Sequence, residues 1–184
     1  MSVTLIVILA VAAALVLWGI KVQNQLVQSD ELCNNALKQI NVQQVSRYDA
    51  LKAIVKLTRE YASYESETLE KVIAQRKITA AANPTVDDIN ANEAALQAMS
   101  ANLIAIAEQY PDLKANQNYQ QAMADVKQYE ENVRLARMTF NDTVTKYNNQ
   151  VRMFPGSVVA GILGFAKRDY LADEPAKKDY PDII

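Results

Sequence analysis

The chain has 184 residues, carries 19 Lys and Arg against 21 Asp and Glu for a net charge of −2, and contains one cysteine and no histidine. Such a near-neutral balance argues against nucleic acid as a partner. The missing histidine removes the usual zinc ligand, the usual general base and any thiol–imidazole pair. Four Gly and five Pro are too few for a β-sandwich or a phosphate-cradling loop enzyme, and they point to an all-α chain of long helices.

Residues 1–20, MSVTLIVILAVAAALVLWGI, hold no charge, and every charged side chain follows them. At about 1.5 Å per residue, roughly 20 apolar residues cover a bilayer core of about 30 Å, so residues 1–21 are expected to form a transmembrane anchor. Val3, Leu5, Ile6, Leu9, Leu15, Leu17 and Ile20 would face lipid, and Trp18 and Lys21 would mark the interface. A cleaved secretory signal fits less well, because Met1 and Ser2 supply no basic n-region and the small residues AVAAA lie inside the apolar run. The single charge of Lys21 tilts the orientation toward a cytoplasmic bundle.

Residues 22–79 lack Gly and Pro, and apolar side chains recur there at steps of three and four: Leu51, Ile54, Val55, Tyr61, Ala62, Leu69, Val72, Ile73. This predicts a long amphipathic helix continuous with the anchor, a stalk of about 110 Å. Near its root, Leu26, Val27, Leu32 and Leu37 lack an evident intrachain partner, which makes them candidates for an oligomer interface. Glu60, Glu65, Glu67 and Glu70, mixed with Arg59 and Lys71, read as a solvated face. Cys33 reads as a small apolar helix residue; one cysteine builds no internal disulfide.

The stretch TAAANPTVDD, residues 79–88, is expected to be the first connection. Asn90 and Glu93 then suggest a cap for a second helix, antiparallel to the first, that buries Leu96, Met99, Leu103, Ile104 and Ile106 and ends at Tyr110-Pro111. A third helix is expected from about residue 117 to 153, with Val133, Ala136, Phe140, Val144, Tyr147, Val151 and Phe154 spaced only by steps of three and four. Such a stripe packs at coiled-coil angles. Its aromatics Phe140, Tyr147 and Phe154 are read as core. Arg137, Asn141 and Asn148 form a polar row beside it that would fix register against a facing helix, with Asp49 and Asn41 as expected partners of Arg137.

Pro155-Gly156 stops that helix, and SVVAGILGFAKRDYL follows. It is expected to close the bundle as a short fourth helix, the alternative being that Val158, Val159, Ile162 and Phe165 lie on the bilayer, with Lys167 and Arg168 touching anionic lipid. Residues 22–171 would then be one helical domain and 172–184 an extended tail.

The string Glu131-Asn132, Ala136-Arg137, Phe140-Asn141, Val144, Tyr147-Asn148, Val151 and Phe154-Pro155, with YPDLKAN before it and Gly164-Phe165 after it, resembles the LemA family over essentially the whole chain. Helix one departs from the family pattern. Asn41 stands where Asp is usual, the proline common after Arg47-Tyr48-Asp49-Ala50-Leu51 is missing, and Tyr64-Glu65 replaces a frequent His-Glu, so no role for that acid or histidine carries over. The resemblance implies a single-pass bacterial membrane protein with an antiparallel helical bundle, in a family without an established biochemical activity; one branch is associated with magnetosome membranes.

A carboxylate-bridged metal site in a bundle uses Glu-x-x-His pairs, which this chain cannot form. No catalytic, cofactor-binding or metal residue is therefore assigned. The function expected is a non-enzymatic membrane-anchored scaffold that self-associates laterally and organises or remodels the membrane. The alternative is an adaptor whose bundle docks another membrane protein, such as a protease or signalling receptor. Membrane lipid and further copies of the chain are the expected partners, and the bacterial inner membrane the expected location.

Overall fold

The computed structural model describes residues 3–61 and 82–172, and these form an all-α bundle. Its helices are α1 (Val3–Tyr61), α2 (Val86–Gln109), α3 (Pro111–Ala115), α4 (Gln117–Arg152) and α5 (Gly156–Leu163). The first helix passes from the apolar run into the bundle without a break, 59 residues or roughly 90 Å. Its expected continuation to residue 79, with Ala62, Leu69, Val72 and Ile73, lies outside the described residues, as do Glu65, Glu67, Glu70, Lys71 and residues 173–184.

Three clusters of buried side chains mark how the helices run. Far from the N-terminus, Leu51, Ile54 and Val55 of α1 meet Leu96, Met99 and Leu103 of α2 and Val126 of α4. In the middle, Cys33, Ala36, Leu37 and Ile40 meet Ile89 and then Val133, Phe140, Val144 and Tyr147. Nearest the apolar run, Leu26 meets Val159 and Ala160 of α5. Numbers in α4 rise as those in α1 fall, so this pair is antiparallel. The second helix differs from expectation: Ile89 lies level with Gln44, Glu93 with Arg47 and Asn116 with Tyr61, so α2 runs alongside α1 in the same direction and antiparallel to α4.

Local chemistry sets the helix ends. Thr85, not Asn90, caps α2, in a reciprocal capping box with Asp88; Thr85 precedes the first helical turn, whereas Asn90 lies beyond that turn, within the helix. Glu93 is thereby free for another task. Pro111 opens α3, and Asn116 caps α4 through the amides of Asn118 and Tyr119. The Phe154-Pro155 peptide is cis, and the chain turns so tightly that a Cβ at Gly156 would run into the Gln150 carbonyl. Gly164, with φ of 77°, ends α5 in the left-handed region open to glycine.

Burial corrects several expectations. Leu26 and Leu37 are core residues, because α5 and α4 cover them, while Val27 and Leu32 remain 45% and 52% exposed. Val159 is buried against α1 and Phe165 packs partly on the core, so neither belongs to an outward apolar face; Val158 and Ile162 do. Phe154 falls past the end of α4 and is 83% exposed, which takes it out of the core stripe, and Ile104 is exposed on α2.

Candidate functional site

Polar groups gather at two levels of the bundle. At the upper one Arg47, 1% exposed, donates from Nη1 to Glu93 Oε1 at 2.8 Å, and its Nη2 lies 3.7 Å from Glu130 Oε2. One guanidinium so joins α1, α2 and α4. Gln44 reinforces the node by donating to Glu93 Oε2 at 3.1 Å and to the Ile89 carbonyl at 3.0 Å. Charges this deep persist only when paired and hydrogen-bonded, and this pairing also fixes the axial register of α2. Sequence reasoning passed over Arg47, because a lone arginine in a helical stripe looks like any surface charge.

At the lower level the row on α4 holds an extended strap, residues 165–172. Asn148 donates from Nδ2 to the Arg168 carbonyl at 3.0 Å and accepts from the Arg168 amide at 2.9 Å. Asn141 repeats this pattern with Leu171, at 3.3 and 3.0 Å, and Arg137 Nη2 donates to the Ala172 carbonyl at 2.7 Å. Tyr147 Oη donates to the Ala166 carbonyl at 2.9 Å. The expected row therefore bonds to the backbone of this strap and not to a facing helix. A chain without secondary structure must place its amides and carbonyls somewhere, and a side-chain amide offers both a donor group and an acceptor group. Asp49, expected beside Arg137, lies instead near Lys52 at 3.6 Å.

Arg168 turns inward and not to lipid. Its Nε donates to Asp30 Oδ1 at 2.7 Å, its Nη2 donates to Asn34 Oδ1 at 2.7 Å, and its guanidinium stands 5.9 Å from the Tyr147 ring centre. Burial opposes its charge, yet the hydrogen bond and charge of Asp30 win and raise its pKa above the ordinary arginine value. Cys33 lies beneath this group, and burial pushes its thiol up, with Arg168 pulling the other way. The Tyr147 phenol is raised by burial first and by Asp30 second. A thiol held neutral is a poor nucleophile, so the cluster is suited to holding the strap rather than to catalysis.

Among the described residues no group of three His, Cys, Asp or Glu side chains could hold a metal ion. A cleft of about 400 Å³ opens where the apolar run meets the bundle, lined by Trp18, Lys21, Val22, Met153, Phe154 and Pro155 among others. Beyond it, away from the bundle, α1 continues as a helix whose most apolar stretch has no buried residue. That stretch is long and apolar enough to cross a membrane, and it contains Val3, Leu5, Ile6, Leu9, Leu15 and Leu17, all exposed.

An unbroken helix thus pairs a stretch long and apolar enough to cross a membrane with a strapped helical bundle, and together they define an all-helical class of protein. The LemA family model matches residues 36–184, so the chain belongs to the LemA family. Among curated relatives it is 26% identical to Protein LemA of Metamycoplasma hominis over 140 residues, 75% of this chain and 63% of that one. It is 31% identical to Magnetosome protein MamQ of Magnetospirillum gryphiswaldense, and 28% identical to Magnetosome protein MamQ 1 of Paramagnetospirillum magneticum. Each of these two matches covers 74 residues, 40% of this chain but 27% of the relative.

Proposed function

We propose that this chain is a membrane-anchored, non-enzymatic scaffold that self-associates laterally and organises or bends a bacterial membrane. The observation that carries this reading is the continuity of α1, which enters the bundle from the apolar stretch with no hinge, so the bundle's orientation is tied to that of the anchor. Copies fixed in this way approach one another with their α1 and α4 surfaces. Val27, Leu32 and Val42 on α1 and Leu135 and Met138 on α4 are exposed apolar side chains available to such a contact. The proposed place is the inner membrane with the bundle cytoplasmic, following the positive charge of Lys21.

Membrane lipid and further copies of the chain are the partners of this reading; a docked membrane protein of another kind would use the same side chains. Reconstitution of the full-length chain into lipid vesicles and cryo-imaging of their outlines tests it. The scaffold predicts a protein-dense coat with altered curvature, lost in Val27→Asp and Leu32→Asp. Smooth vesicles with scattered, separate copies would refute it.

A further inference from the structure

The end of the bundle nearest the apolar stretch bears side chains that the protein itself does not cover. Met153 and Phe154 are exposed in the α4–α5 corner, as are Val158, Ile162 and Leu163 in α5, with Ile162 at 78%. The helix spends only Val159 and Ala160 on the bundle, against Leu26. Single exposed apolar residues are ordinary; five within one short corner mark a contact surface.

Two observations say what covers it. First, the cleft sets Met153, Phe154 and Pro155 against Trp18, Lys21 and Val22, so the corner stands level with the end of the apolar stretch. Trp18 and Lys21 are the residue types that sit at a membrane–water boundary. Second, residues 143–168 contain no acidic side chain, while Lys21, Arg152 and Lys167 are exposed around the corner, a balance that complements an anionic surface.

We infer that the α4–α5 corner is a second membrane contact, in which Met153, Phe154, Val158 and Ile162 enter the interfacial layer of the bilayer that α1 crosses. Lys21, Arg152 and Lys167 meet its anionic headgroups. This rests on the reading of α1 as a membrane span, and it adds a consequence: two attachments fix the tilt of the bundle, whereas one helix leaves it free to lean. An amphipathic segment buried a few Å into the headgroup boundary is a known way to hold a protein on a bilayer.

Trp18 is the chain's one tryptophan, which gives the test its own control. Full-length protein is placed in vesicles of phosphatidylcholine and phosphatidylglycerol whose acyl chains carry bromine near the carbonyl, a quencher of tryptophan in the interface. Phe154→Trp and Ile162→Trp, each in a Trp18→Phe background, are compared with wild type; both positions face outward, so neither change disturbs the core. The inference expects a blue-shifted emission and a loss of intensity in brominated vesicles matching that of Trp18, from both variants. Solvent-like emission without loss in both, with Trp18 still quenched, overturns the second contact and leaves the span intact. Blue-shifted emission that bromine does not quench means that another protein copy covers the corner, and also overturns it. An unquenched Trp18 sinks the span and the inference together.

Discussion

Arg168 Nε lies 2.7 Å from Asp30 Oδ1 across 138 positions of sequence, and this contact ties the strap after α5 to the root of α1. The strap thus locks the part of the bundle closest to the apolar N-terminal stretch. Both side chains are about three-quarters covered, so the pair is only moderately screened. Arg168→Ala and Asp30→Asn should each cost about 1–2 kcal/mol of unfolding free energy, and a double-mutant cycle should show that the two losses are not additive. Additive losses would mean the two side chains do not act together.

Asn148 serves the same strap through backbone groups. Asn148→Ala leaves the amide and carbonyl of Arg168 without their partner and should cost about 1–3 kcal/mol. Hydrogen exchange is the direct readout: the amides of Arg168 and Leu171 should lose protection while those of α2 keep theirs. Unchanged protection at Arg168 would contradict the assignment. Arg137→Ala is expected to act in the same direction through Ala172, and an unchanged melting temperature would refute that role.

Arg47 and Glu93 behave differently, because removal of either strands a charge in the core. Arg47→Ala should destabilise by about 3–5 kcal/mol, whereas Arg47→Met combined with Glu93→Leu should recover most of the loss. Chemical denaturation of the three proteins in one detergent checks this ordering.

Burial raises the pKa of both Cys33 and Tyr147, which sets the sign of the alkaline response. Below the ordinary thiol and phenol range both groups are neutral in the folded and the unfolded chain, and their contribution is fully present. As pH rises through that range the unfolded chain releases its protons first, so stability falls until the higher folded values are passed. Denaturation midpoints measured upward from neutral pH should therefore decline, and less steeply in Cys33→Ala. Native Cys33 should also resist alkylation at neutral pH.

Much of the fold was legible because its signals are local. Pro111 and the Pro155-Gly156 pair end the helices that precede them, because proline is tolerated in a first turn but not in a helix interior, and the three-and-four stripe of Val133, Phe140, Val144 and Tyr147 names the buried face of α4 without reference to a partner. The row of Arg137, Asn141 and Asn148 was visible for the same reason. Its partners were not, since an extended strap offers backbone groups that leave no pattern in sequence. The direction of α2 was equally hidden: it is set by where Glu93 meets Arg47, a contact between positions 46 apart that nothing local announces. Leu26 looked unpartnered because a short α5 folding back onto it is a tertiary event.

The most direct test of the scaffold is the particle mass of the full-length chain extracted with its surrounding lipid and imaged as single particles. The account predicts multi-copy, symmetric or membrane-curving assemblies that break down to single chains when Val27 and Leu32 are both replaced by Asp. Uniform single-chain particles at every protein concentration would contradict it and point instead to a docking partner of another kind.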